Sequence, residues 1–118
     1  STNYIFPVLG NGLWGPIWGY VALNDDFISI SGAIFDHQGE TPGLGAEINT
    51  PDFQDQFKGK KMYDESGKFV SIMVNKAGIP ETEYSVDAIS GGTITSKGLE
   101  KMLSDCLSLY DSFITKQK

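Results

Sequence analysis

From Lys97 onward, Leu99, Met102, Leu103, Cys106, Leu107, Tyr110 and Phe113 recur at helical spacing, while Glu100, Lys101, Ser104, Asp105 and Ser108 fall off the stripe. This pattern specifies one long helix, over residues 97–113, with a single apolar face. An isolated helix of that length is marginal, so its face must be buried against something the rest of the chain supplies. The preceding segments read as strands. Residues 20–23 and 27–35 are joined by Asn24, Asp25 and Asp26, a break of hairpin length. Ile28 and Ile30 alternate with Ser29 and Ser31, and the loss of alternation at Gly32 marks a bulge or a close approach. Residues 69–74 are rich in β-branched side chains, and Val86 ends a short extended piece. Thr50 as N-cap, Pro51 at the first helical position and Asp52 in the first turn start a short helix, with Phe53 and Phe57 docked on the sheet. Lys58, Lys60 and Lys61 read as its solvated end. The expected fold is α+β: one antiparallel sheet packed by a long C-terminal helix and a shorter helix, in a single domain over residues 1–118.

Composition removes several classes of function. The chain carries a net charge of −6, and its nine basic residues are all lysine. Without arginine there is no bidentate guanidinium clamp for a phosphate. An acidic chain without a basic patch is also a poor nucleic-acid binder, so no nucleic-acid partner is expected. Cys106 is the only cysteine and His37 the only histidine, which leaves no internal disulfide and no Cys/His zinc site. Cys106 is expected as a small buried group on the helix stripe, and His37 as an exposed loop residue. No apolar run approaches the roughly 20 residues of a membrane helix and no signal-peptide pattern opens the chain, so it reads as soluble.

Three segments do not look like regular structure. Residues 10–19, Gly-Asn-Gly-Leu-Trp-Gly-Pro-Ile-Trp-Gly, suggest a loop that brings large flat side chains close to something. That something is either the protein's own core, with the aromatics as anchors, or a planar ligand. Residues 40–45, Glu-Thr-Pro-Gly-Leu-Gly, hold a Thr-Pro-Gly turn. Residues 87–98 set Gly91 and Gly92 among Ser90, Thr93, Thr95 and Ser96, directly before the helix. Thr95 or Ser96 is the expected N-cap. Unpaired N–H groups and the positive dipole end at such a junction favour a phosphate lying over it.

These segments resemble, in the same order along nearly the whole chain, those of the C subunit of the Na+-translocating NADH:quinone reductase and its sister, the G subunit of the Rnf complex. Asp87-x-x-Ser90-Gly91-x-Thr93 is similar to their flavinylation motif, with Gly92 where the family usually has alanine. Glu40 to Gly45 matches a segment that lies against the flavin in that family. Leu13-Trp14 matches the reductase C subunit and is usually missing from its Rnf sister. The Gly-Pro-Phe-Leu run frequent near the family's C-terminal end keeps only Phe113 and Ile114 here. The resemblance implies FMN joined through its phosphate to Thr93, held by Leu13, Trp14, Glu40, Thr41, Gly43, Leu44, Gly45, Ile94 and Thr95. Within that site Glu40 would accept from ribityl hydroxyls or a ring N–H, and amides near Gly43 and Gly45 would reach ring carbonyls. Lys76 would lie near the phosphate or flavin edge, or simply in solvent. Asp87, Ser90, Gly91 and Gly92 would be read by a flavinyltransferase that transfers FMN from FAD, so protein made without that enzyme can lack the cofactor. The implied role is electron carriage between other subunits of a membrane complex, on the periplasmic side of a bacterial inner membrane. Family subunits also carry an N-terminal membrane helix and a further segment before residue 10, which marks this sequence as their FMN-binding part. A role as the Rnf G subunit, a non-redox FMN-binding regulatory domain and a binding module without cofactor are the alternatives. In the flavin reading Leu13 or Trp14, Leu44 and the Thr93 hydroxyl share one cleft, and amides near Thr95 are open to solvent.

Overall fold

The computed structural model describes residues 2–117. β1 (Tyr4–Asn11), β2 (Pro16–Leu23) and β3 (Ile30–His37) form an antiparallel meander in the order β1-β2-β3. Its register aligns Phe6 with Val21 and Ala33, and Val8 with Gly19 and Phe35. One face of the sheet therefore carries Phe6, Val8, Val21, Ala33 and Phe35, all buried. A 3-10 turn (Gly45–Asn49) leads into α1 (Pro51–Gln54) and a further 3-10 turn (Asp55–Phe57). β4 (Met73–Asn75) pairs in parallel with β5 (Ser85–Asp87), and α2 (Thr93–Leu109) and α3 (Asp111–Gln117) complete the chain. The α+β expectation holds, with the long helix packed in one core with the antiparallel sheet.

Several local expectations do not hold. Residues 10–19 are a hairpin, with only residues 12–15 in the turn, closed by Gly12 N–H donating to the Gly15 carbonyl at 2.8 Å. The glycines there thin the strands where a helix or a ring presses on them. A Cβ at Gly10 would collide with the Met102 side chain, and one at Gly19 with Phe35 and the Ile34 carbonyl. The second hairpin strand starts at Ile30 rather than Phe27, because Phe27 takes φ +59° and the Asp26 carboxylate accepts from the N–H groups of Ile28 and Ser29. The bulge lies at Ser31, since Ala22 pairs Gly32 and Leu23 pairs Ile30.

The run at residues 69–74 is mostly irregular. Ser71 takes φ +59°, which interrupts any strand, and only Met73–Asn75 pairs, in parallel. A second, two-stranded sheet therefore accompanies the expected antiparallel one. Ser71 is buried, and its hydroxyl finds no hydrogen-bond partner among the described residues. Left-handed backbone at a non-glycine residue costs about 1–3 kcal/mol. Ser71→Gly is accordingly expected to raise stability by about 1 kcal/mol, after the entropy of a new glycine is subtracted. A lower urea midpoint for this variant would show that the serine side chain is needed where it is.

Phe53 and Phe57 are buried as expected and pack against Phe35 in tilted and edge-on geometry, with centroid separations of 6.1 and 5.2 Å. Thr50 holds the N-cap position with Pro51 after it, but its hydroxyl donates to the Glu47 carbonyl instead of capping. Lys60 is not solvated. It is buried, with Nζ donating to Glu81 at 2.7 Å and to the Thr82 carbonyl at 2.9 Å, which ties down the 81–82 loop.

The long helix starts at Thr93, earlier than expected. Gly92 is its N-cap, so no side chain caps it. Leu99, Met102, Leu103 and Leu107 are buried along the predicted stripe, and Cys106 is half-buried. A break at Tyr110 then shifts the phase, leaving Phe113 exposed and Ile114 fully buried in α3. Helix expected to end at residue 113 thus continues, after the break, through Gln117, while Lys118 lies outside the described residues. Tyr63 anchors this last helix by donating its hydroxyl to Asp111. α2 crosses the β1–β2 turn at Gly98, where a Cβ would fall well inside van der Waals contact of the Asn11 carbonyl oxygen. Gly98→Ala is expected to cost about 1–3 kcal/mol through overpacking. The loss should appear as a lower urea midpoint with an unchanged denaturant slope.

Candidate functional site

Glu40 organises the site. It is 3% exposed, three residues beyond β3, and its backbone N–H donates to His37 Nδ1 at 3.0 Å. His37 is thus half-buried and partnered, rather than a free loop residue. The Glu40 carboxylate accepts from the N–H groups of Leu13 and Trp14, each at 2.9 Å, and from the Thr95 hydroxyl. One carboxylate therefore fastens the β1–β2 turn, the 41–45 loop and the first turn of α2 together. Burial alone would raise its pKa, but the bonds from Thr95, Trp14 and Leu13, helped by His37, outweigh it and hold the group below the ordinary carboxylate range. A carboxylate offers about four acceptor positions, and donors of the chain itself take three of those on Glu40.

Around this junction lies a cleft of about 230 Å³. The hairpin turn contributes Leu13 and Trp14, and the 41–45 loop contributes Thr41, Leu44 and Gly45. The third side is Gly91, Gly92, Thr93, Ile94 and Thr95. The 41–45 turn is closed by Leu44 N–H donating to the Thr41 carbonyl at 3.0 Å, with Gly43 at φ +77° as a Thr-Pro-Gly turn requires. Trp14 is 67% exposed and Ile94 60%, so large apolar side chains gather in the open around a single concave site. Gly91 takes φ +76°, and a Cβ on it would sit 2.6 Å from Leu44 Cδ2. Any larger residue there would crowd the cleft. Gly92, by contrast, has φ −119° and is buried, and a Cβ would approach Ile89 at 3.1 Å. Alanine there would press on Ile89 and on the Gly45 backbone nitrogen, each of which would have to give by a few tenths of an ångström.

Thr93 is exposed, whereas Thr95 and Ser96 are buried. Ser96 Oγ accepts from Ile89 N–H at 3.1 Å, which pins the motif to the helix from behind. Thr95 itself is buried, and the exposed first-turn residues beside it are Thr93 and Ile94. No basic side chain among the described residues lines the cleft. Lys76 is exposed in the loop after β4 and is not among the lining residues.

Asp87 and Ser90 face a different hollow, of about 340 Å³, together with Glu47, Asp52 and Gln56. The boundary between the two runs between Gly43 and Leu44, and between Ser90 and Gly91. Gln56 clasps Asp87 by its backbone, accepting its N–H at 2.8 Å and donating to its carbonyl at 3.2 Å. Sequence reasoning missed Glu47, Asp52 and Gln56 here, since nothing local marks residues that meet Asp87 only through folding.

Comparison with known proteins gives this geometry a context. The FMN-binding domain profile matches residues 12–108. The chain is 46% identical over 96 residues to the Na(+)-translocating NADH-quinone reductase C subunit of Neisseria meningitidis, covering 81% of this chain and 37% of that protein. It is 46% identical over 100 residues to the corresponding C subunit of Vibrio vulnificus, covering 84% and 39%. The chain thus spans under two fifths of the length of these curated relatives. The crystal structure of the same reductase's C subunit from Parabacteroides distasonis superposes with a TM-score of 0.91 at 54% identity, over 96% of this chain and 57% of that one. Shewanella oneidensis NqrC superposes at 0.87 and 34% identity, over 98% and 54%. With its profile match running from the hairpin turn through α2, the chain belongs to the FMN-binding domain family.

Proposed function

We propose that this domain carries FMN joined by a phosphoester to Thr93, as the electron-relaying part of a Na+-translocating NADH:quinone reductase. The observation that carries the reading is that exposed Thr93 lines the same cleft as Leu13, Trp14 and Leu44. The residues present fit the group. The cleft is apolar, its Gly91 leaves space that a Cβ would fill, and it opens at the first turn of α2. FMN, when bound, supplies one-electron redox chemistry. The chain's share is placement and electrostatics. Thr41, Gly43, Gly45 and Thr95 shape the loop and helix start around the cleft, with Glu40 as their common tie. A phosphodiester bears one negative charge, and the helix start can stabilise it by about 0.3–1 kcal/mol, up to about 2 when partly buried. No arginine is needed for that.

Loading would be the work of a flavinyltransferase that reads Asp87, Ser90, Gly91 and Gly92. Thr93 Oγ forms its bond to the FMN phosphorus of FAD while the pyrophosphate bond breaks, and AMP leaves with the hydroxyl proton. Partners would be the other subunits of the reductase, with the domain on the periplasmic side of the inner membrane. No helix among the described residues is long and apolar enough to cross a membrane. The place of Leu13 and Trp14 in the cleft favours the reductase over a role in the Rnf complex, because that pair is the part of the resemblance particular to the reductase.

Co-expression with a flavinyltransferase tests the proposal. The purified protein should be yellow and keep its flavin through acid precipitation. Colourless protein, or flavin that washes away on denaturation, would refute a covalent site.

A further inference from the structure

The three-stranded sheet has a second face, which nothing described covers. Its rows follow from the register: Ile5, Ala22 and Gly32; Pro7, Tyr20 and Ile34; Leu9, Trp18 and Asp36. An antiparallel sheet with one wet face shows clean alternation of apolar and polar residues along each strand. Here β2 reads Pro-Ile-Trp-Gly-Tyr-Val-Ala-Leu, apolar on both faces, and Asp36 is the one charge among the nine outer positions. Ile5 is 63% exposed, Leu9 67%, Tyr20 50% and Ile34 58%. At the side of this face a hollow of about 410 Å³ is bordered by Ile5, Tyr20 and Ile34, with Asp55 and Lys58 as a polar rim. An apolar centre with a polar rim is the anatomy of an interface.

The sheet's edges are closed to strand addition. Pro7 has no N–H, its carbonyl accepts from the Tyr110 hydroxyl at 3.2 Å, and Cys106 Sγ meets both backbone groups of Leu9. At the other edge, Ile30 exchanges backbone bonds with Gly59 and Lys60, and Phe35 N–H donates to Gln54. Whatever covers the sheet must therefore lie on its face through side-chain packing.

We infer that the occupant is another segment of the same polypeptide: the part that the solved relatives carry beyond the region this domain matches. Those two chains superpose on nearly all of this domain, yet the domain accounts for only 57% and 54% of them. Close to half of each solved chain has no counterpart here, while this apolar sheet face lies open among the described residues. An anionic membrane surface is the poorer occupant, because the domain's net charge is −6 and Asp36 and Asp55 border the face. The inference does not rest on the flavin reading, and its test involves no flavin.

Single cysteines placed at Tyr20 or Ile34 in a Cys106→Ala background decide the matter, with Ser108→Cys on exposed α2 as the control position. Each is labelled with a maleimide in the 118-residue domain and in the full-length polypeptide, purified alone. Tyr20→Cys and Ile34→Cys should react about tenfold or more slowly in the full-length chain, since labelling then requires local opening. Ser108→Cys should react equally in both, and the protection should not vary with protein concentration. Protection that appears only in the assembled complex, or only at high concentration, would assign the face to a different subunit or a second copy and overturn the inference. Equal labelling in both forms would overturn it as well, and two independent positions guard against one variant that folds poorly.

Discussion

Thr93→Ala protein, co-expressed with a flavinyltransferase, should lack entirely the mass gain of one FMN less one water that the unaltered domain acquires. The expectation is all-or-none because no other hydroxyl of the motif is equivalently placed. Ser90 opens on the neighbouring hollow, while Thr95 and Ser96 are buried with their hydroxyls held by Glu40 and Ile89. Thr95→Val is the discriminating partner. It removes the hydroxyl most easily confused with Thr93 while keeping the side-chain shape. It should cost about 1.5–3 kcal/mol, the usual effect of losing a hydrogen bond to a charged group. Loading should nevertheless survive. Intact-mass measurement of the two variants settles the assignment, and loading that vanishes in Thr95→Val while persisting in Thr93→Ala would move the site.

Glu40→Ala should have the largest effect on stability of any substitution around the cleft. It leaves the N–H groups of Leu13 and Trp14 and the Thr95 hydroxyl without their shared acceptor, in a site where Glu40 itself is only 3% exposed. The expected loss is about 2–4 kcal/mol. Glu40→Gln, which keeps one acceptor oxygen, should lose less. The same tie predicts a pH dependence. Because the folded pKa lies below the ordinary value of 4.5, the stabilisation is fully present above that value and is lost as pH falls through the folded pKa. Urea unfolding of the unaltered protein and Glu40→Gln across that acidic window should show the difference between them shrinking as the carboxylate protonates. A difference that stays constant with pH would mean that Glu40 acts by shape and not by charge.

Much of this protein was legible in the order of its residues. The helix stripe, the docking of Phe53 and Phe57, the Thr-Pro-Gly turn and the α+β class follow from spacings and from local backbone preferences, which operate over a few residues. The gathering of Leu13, Trp14, Leu44 and Thr93 was reached through resemblance, and the cleft brings those residues together. What went wrong locally was also decided at a distance. Glycines at 10 and 19 read as breakers because their propensity is poor, yet here they are strand residues where Met102 and Phe35 press close. The early helix start at Thr93, the phase break at Tyr110 and the buried ammonium of Lys60 likewise depend on what the chain meets elsewhere.

Tertiary structure alone decided the task of Glu40 and the division of the motif between two hollows. A carboxylate's sequence neighbours do not show which donors will surround it. Leu13 and Trp14 lie 27 and 26 residues before Glu40, and Thr95 lies 55 after it. Only the folded chain brings those donors within hydrogen-bond reach of one buried group, and burial is what turns an ordinary acidic side chain into the fastening of the site.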